Sequence, residues 1–120
     1  MSAKAEYAVS LHAQGYNCAQ SVACTFCKEF GVDEKEMFKI AEGFGLGMGM
    51  MEMCGALTGA IMVIGLANSV GDLKSGKATK GSTYKLNKEL VKRFKEKNGA
   101  YLCHELKGVT IGKVLCSCPQ

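Results

Sequence analysis

The sequence has little proline, no export signal and no long apolar run. Pro119 is the one proline in 120 residues, so no helix is interrupted before the last residues. The first residues, Met1 to Tyr7, contain no apolar segment of the kind found in a secretory signal, so we expect none. The most apolar stretch, Met53 to Ala67, is bounded by Glu52 and Asn68. It is shorter than the roughly 20 residues that cross a bilayer, which predicts a buried helix and no membrane span.

Strand patterns and nucleic-acid motifs are scarce as well. Strand-like alternation occurs only around Val109 to Ile111, so we expect an all-α fold. Residues 72–97 carry nine Lys or Arg against three Asp or Glu, within a net charge of +4. Such a segment can attract an acidic partner, although a solvated helix face is the simpler interpretation. Because the segment lacks clustered aromatic residues and a known motif, we expect no nucleic-acid binding.

The length and composition predict a single domain over residues 1–120. A content of 48% hydrophobic and 22% charged residues is ordinary for a globular chain of this size. Apolar spacing predicts a compact bundle of five to six helices, in which Phe26, Phe30, Ile40 and Tyr84 face the core. Asn17, Asp33 and Ser82 are the predicted N-caps. The predicted helices are 3–14, 18–30, 34–42, 52–69, 83–97 and 100–107, with 52–69 buried at the centre.

The chain is rich in cysteine. It has seven cysteines, an odd count, and no secretory signal, so a disulfide framework is not expected. In a reducing cytoplasm, which is the predicted location, abundant cysteines are metal ligands, redox thiols or buried core residues.

Cys18 and Cys54 are the candidate catalytic residues. Cys18 follows the predicted cap Asn17, and Cys54 falls in the first turn of the predicted central helix. Unpaired N–H groups and the positive end of the helix dipole favour a thiolate, the form that attacks disulfides and binds metals. Simple packing remains the alternative, because free cysteine is among the most buried residue types.

Glycines surround Cys54 on both sides. Gly55 and Gly59 are four residues apart, so they line a helix surface with almost no side chain. Such a surface lets another helix come very close, which could bring a second cysteine to Cys54 or pair two copies of the chain as a homodimer. Before the motif, glycine occupies every second position of Gly43 to Gly49. Gly47 and Gly49, together with Gly55 and Gly59, are therefore candidate cofactor contacts, with helix packing as the alternative.

The other cysteines divide into an early pair and a late group. Cys24 and Cys27 form a Cys-x-x-Cys without the preceding strand of a thioredoxin motif, so we interpret the pair as incidental, with Cys24 toward water. The late group is Cys103, Cys116 and Cys118. Two late cysteines with Cys18 and Cys54 would make four ligands, the count for tetrahedral zinc or an iron–sulfur cluster. The spacing fits no zinc-finger template.

Several of these segments resemble the C_GCAxxG_C_C family, whose proposed property is redox activity. Its pattern is four widely spaced cysteines with Cys-Gly-Ala-x-x-Gly at the second. The segments that match are Cys54-Gly55-Ala56-Leu57-Thr58-Gly59, Asn17 to Val22, Gly43 to Gly49, Cys103, and Cys118-Pro119.

The resemblance implies a site of Cys18, Cys54, Cys103 and Cys118, with Cys116 as the competitor for the fourth position. The family is also similar to the cluster-bearing part of certain multihaem cytochromes, which implies an iron–sulfur cluster of the [2Fe–2S] type. This chain has no haem motif. Family members continue past the last cysteine into another helix, which we expect this chain to lack.

Three functions follow as hypotheses. The first is an electron-transfer protein with an iron–sulfur cluster on four cysteines and an unidentified redox partner protein. The second is a metal-free thiol–disulfide protein that uses Cys54 with Cys18 or Cys103. The third is a non-catalytic binding module, with structural zinc or merely buried cysteines, in which the basic helix 83–97 docks a partner.

Overall fold

Helices account for nearly all of the regular structure in the computed structural model, which describes residues 3–107. The all-α prediction is confirmed. Within the described residues, β-type pairing is limited to one isolated antiparallel bridge, between Met53 and Leu102. The predictions for Cys116 and Cys118 fall outside these residues. The helices are α1 (Ala3–Ala13), α2 (Cys18–Phe26), α3 (Glu34–Glu42), α4 (Gly55–Asn68), α5 (Lys80–Asn98) and α6 (Cys103–Lys107).

The centre of the bundle is α2, which packs against α1, α3 and α4. The main buried cluster joins residues of α2 and the turn after it to residues of α1 and α3; its members are Leu11, Ala19, Ala23, Cys24, Cys27, Met37 and Ala41. The prediction of a buried central helix at 52–69 is therefore wrong for much of that helix. Only the first half of α4 is buried, at Gly55, Leu57, Thr58 and Gly59.

The second half of α4 is only partly buried, and its neighbour α5 has no buried residue. The segment Gly55–Ser75 has the length and apolar composition of a membrane-crossing helix, and 17% of its most apolar window is buried. Core helices of soluble proteins meet the same criterion, so this is weak evidence for a membrane span.

Three residues predicted to face the core are exposed instead. The second helix stops at Phe26 and continues as a 3-10 turn, Cys27–Phe30, which Gly31 ends with a left-handed backbone (φ 77°). This change of helix type leaves Phe30 outside the core. Ile40 is 56% exposed because the inward face of α3 is centred on Met37 and Ala41. Tyr84 is also 56% exposed, on a helix with no buried side chain.

The predicted helix starts are right where a local side chain caps the helix. Asn17 caps α2, and the Asp33 carboxylate accepts the Glu36 N–H at the start of α3. The Ser82 prediction is wrong, because α5 begins at Lys80 and Ser82 lies in its first turn. The central helix begins later than predicted, so Cys54 is the N-cap residue of α4 rather than a first-turn residue. The last helix begins at Cys103 rather than at residue 100.

Candidate functional site

Cys18 is the first residue of α2, and a reciprocal cap fixes it there. The Asn17 side chain accepts the Gln20 N–H, and the Gln20 side chain accepts the Asn17 N–H, each at 2.9 Å. The Asn17 amide also donates to the carbonyl of Glu42 at 2.9 Å, which ties this helix start to the end of α3. The cap therefore sets both the backbone at Cys18 and the position of that backbone in the bundle.

Gly55 and Gly59 let α4 lie directly against α2. A Cβ added to Gly55 would be 2.9 Å from the Cβ of Cys18, and one added to Gly59 would be 2.7 Å from the carbonyl oxygen of Ala19. Contacts this short leave no room for a side chain. The two glycines thus place Cys18 beside the start of α4, where Cys54 is the N-cap residue. Their predicted role as cofactor contacts remains a prediction.

Cys54 and Cys103 are held together by a short backbone pairing. The Cys54 N–H donates to the carbonyl of Tyr101 at 2.9 Å, and the Cys103 N–H donates to the carbonyl of Glu52. The Met53–Leu102 bridge lies between these two bonds. Two segments about fifty residues apart in the chain therefore run side by side and place both cysteines at helix starts.

The loop before Cys54 is built from left-handed backbone. Gly47 (φ 56°) and Gly49 (φ 73°) adopt it, and so do Leu46 (φ 55°), Met48 (φ 61°) and Met51 (φ 56°). Residues with a Cβ adopt this conformation at a cost of about 1–2 kcal/mol each. A Cβ on Gly47 would meet the Glu52 backbone, whereas Gly49 has open space around it. The strain is concentrated directly before the Cys54 motif, as is common at functional sites.

The three described cysteines of the predicted site differ in exposure. Cys18 and Cys54 are partly exposed, and Cys103 is buried, with 5% of its surface exposed. No disulfide joins the cysteines in residues 3–107. In that same range no three Cys, His, Asp or Glu side chains are arranged to hold a metal ion. The fourth predicted ligand, Cys118, and its competitor, Cys116, lie outside the described residues.

Cys24 and Cys27 lie in the core, away from the start of α4. Cys24 is 2% exposed, so the prediction that it faces water is wrong: the 3-10 turn and α3 cover it. Its Sγ donates to the carbonyl of Glu34 at 3.8 Å, and the Cys27 Sγ donates to the carbonyl of Cys24 at 3.6 Å. Burial raises the pKa of Cys24 to about 12 and raises that of Cys27. Both sulfurs are therefore protonated thiols near neutral pH, as suits packing.

Two residues beside the site, Tyr101 and Lys95, were not predicted from the sequence. Tyr101 supplies the carbonyl that holds Cys54, and the Lys95 ammonium lies 5.8 Å from the centre of the Tyr101 ring. A backbone carbonyl leaves no signal in residue type. The pairing of Lys95 with Tyr101 arises only when α5 folds back along α4.

Comparison with known proteins places the cysteine pattern in a family. The family model described as "Putative redox-active protein (C_GCAxxG_C_C)" matches residues 16–120. No curated protein and no solved structure gave a match. The match covers all seven cysteines, the glycine loop and the Cys54 motif. The chain therefore belongs to the C_GCAxxG_C_C family.

Proposed function

We propose that this protein transfers electrons through a site made by Cys18, Cys54, Cys103 and Cys118. The observation that carries the proposal is the convergence of three helix starts. Cys18 begins α2, Cys54 caps α4 and Cys103 begins α6, and direct backbone or side-chain contacts join these positions. Three helix starts that lie side by side and each carry a cysteine are more than packing alone requires.

An iron–sulfur cluster suits the chemistry of this donor set. Thiolates are the usual ligands of such clusters, and four are needed for a [2Fe–2S] centre. Cys18, Cys54 and Cys103 would hold it, with Cys118 as the fourth ligand. The cluster would supply one-electron chemistry. The Tyr101 and Glu52 carbonyls would hold two of its ligands in place, because they fix the backbone at Cys54 and Cys103.

The test is elemental analysis with absorption spectroscopy of anaerobically purified protein. We expect iron and acid-labile sulfide together with visible absorption. Each of Cys18→Ser, Cys54→Ser, Cys103→Ser and Cys118→Ser should lower the iron content. Cys24→Ala and Cys116→Ser are matched controls that should retain it. Colourless, iron-free protein after anaerobic reconstitution would contradict the cluster.

A metal-free dithiol is the second candidate, and the exposure pattern favours it. Cys18 lies against Gly55, the residue after Cys54, and both cysteines are partly exposed, whereas Cys24, Cys27 and Cys103 are buried. In this form Cys18 and Cys54 would each lose a proton and together release two electrons to an oxidant such as a small-molecule disulfide, forming one disulfide. A reducing compartment such as the cytoplasm suits either form.

Thiol titration of metal-free protein before and after mild oxidation tests this second form. We expect the loss of two thiols and a Cys18–Cys54 linked peptide by mass spectrometry. Cys24 and Cys27 serve as internal references, because their burial and raised pKa should keep them unreacted in folded protein. An unchanged thiol count across oxidising conditions would refute the dithiol.

A further inference from the structure

A groove between α4 and α5 opens beside the cysteine site. It has a volume of about 430 Å³, within the range of small ligand sites. Its apolar lining comes from Met53, Ile61 and Val91, and its polar lining comes from Asn87, Lys88 and Lys92. Met53 directly precedes Cys54 in the chain, so a molecule in the groove lies next to the candidate redox site.

Positive charge without a partner borders the groove. Lys88 and Lys92 are four residues apart and therefore share one face of α5. Neither makes an ion pair within residues 3–107, and the nearby Glu89 is already bonded to Arg93 at 2.8 Å. Lys95, one turn farther along, lies over the Tyr101 ring and so extends the positive charge toward Cys54. An anionic ligand in the groove would meet Lys88 and Lys92, with Lys95 beyond its edge.

Asn87 adds a requirement for a hydrogen-bond donor. Its side-chain oxygen is buried and has no hydrogen-bond partner among the described residues. A buried acceptor without a donor costs free energy, and a ligand N–H would recover it once the Asn87 side chain turns toward the groove, because in its present position the oxygen has almost no accessible surface. A simple carboxylate has no N–H to offer, whereas a peptide backbone does.

We propose that this groove binds an acidic peptide segment of the redox partner protein. An apolar side chain of the segment packs on Met53, Ile61 and Val91, and a backbone N–H donates to the Asn87 oxygen. Carboxylates on either side pair with Lys88 and Lys92. The inference rests on the proposed function, because it names the class of partner that exchanges electrons at Cys54. Residues 108–120 contain no Asp or Glu, so they do not match this charge pattern.

Binding of blocked hexapeptides to the full-length protein tests the proposal by calorimetry at low salt. The acidic probe is Glu-Glu-Leu-Phe-Glu-Glu; Lys-Lys-Leu-Phe-Lys-Lys and Glu-Glu-Ser-Ser-Glu-Glu are the comparison peptides. We expect only the acidic apolar peptide to bind measurably, with affinity that falls as salt increases. The double variant Lys88→Glu/Lys92→Glu should weaken binding about tenfold or more. The control Lys74→Glu/Lys77→Glu makes the same charge change in the α4–α5 connection and should leave binding within about twofold.

Several outcomes would overturn the proposal. They are equal affinity for the acidic and basic peptides, no effect of the double variant, and binding of phosphatidylserine vesicles in place of the peptide. Dimerisation in sedimentation experiments that blocks the peptide would assign the groove to a second copy instead. The readout contains no redox step, so it separates the two proposals. Peptide binding without iron or disulfide formation would contradict the proposed function and leave the groove as an acidic-peptide site without a redox role. Redox activity without peptide binding would contradict the groove proposal alone.

Discussion

At Gly59 the backbone of α4 lies against the backbone of α2. An added Cβ would be 2.7 Å from the Ala19 carbonyl oxygen and 3.1 Å from the Cβ of Val22. The first of these neighbours is backbone and cannot rotate away. Gly65 lies in the same helix with nothing within 4 Å of an added Cβ. Alanine substitutions at Gly59 and Gly65 therefore separate the effect of helix propensity on stability from the effect of the helix–helix contact.

We expect Gly59→Ala to lower the free energy of unfolding by about 1–2 kcal/mol. Overpacking costs about 1–3 kcal/mol, and the better helix propensity of alanine offsets up to about 1 kcal/mol of it. Gly65→Ala should raise the free energy of unfolding by about 0.5–1 kcal/mol, because only the propensity term applies. Urea unfolding followed by circular dichroism under reducing conditions measures both. Equal changes at the two positions would mean that the α2–α4 contact is looser than described.

The start of α2 links helix formation to the cysteine site. Its cap uses both side chains of a reciprocal pair, and the Asn17 amide also reaches α3. The cap of α3 is simpler, since the Asp33 carboxylate accepts only the Glu36 N–H at its helix start. Only the first of these caps adjoins a site cysteine.

We expect Asn17→Ala to cost about 1–2 kcal/mol of stability and to speed alkylation of Cys18 in the native protein. The first effect is the loss of an N-cap, and the second is fraying of the turn that holds Cys18. Asp33→Ala should cost about 1 kcal/mol and leave Cys18 labelling unchanged. Timed labelling with peptide mapping by mass spectrometry measures the rates. A faster Cys18 in both variants would trace the effect to global stability rather than to the cap.

Across the described molecule, burial decreases from α2 toward α5. Six of the nine residues of α2 are buried, whereas the 19 residues of α5 include none. Charge follows the same division, since residues 3–71 hold four Lys against seven Asp or Glu, and residues 72–97 hold nine Lys or Arg against three Asp or Glu. The basic helix is thus also the helix with the least contact with the core.

Hydrogen exchange should follow this division. We expect the amides of α5 to exchange faster than those of α2 and of the first half of α4, because local opening of α5 exposes no buried side chain. Exchange measured by mass spectrometry on wild-type protein compares the helices directly. Protection of α5 equal to that of α2 would show that α5 opens only with the whole fold.

Local sequence patterns correctly predicted several features of the fold. The all-α class, the caps at Asn17 and Asp33, the stop at Gly31 and the family pattern around Cys54 all depend on residues within a few positions of one another. Contacts of this range can be predicted from the sequence, because the helix backbone fixes the distance between residues three or four apart.

Tertiary structure decided the rest. The choice of central helix depends on contacts between segments far apart in the chain. So do the exposure of Ile40 and Tyr84, the burial of Cys24, and the backbone bonds from Tyr101 and Glu52 that bring Cys103 to Cys54. The Gly55 and Gly59 surface predicted a close helix without naming it, and only packing selected α2. The sequence by itself determined where most of the helices form and which cysteines are candidates for the site. The fold decided which helices and cysteines come together, because burial depends on the neighbours that a residue acquires.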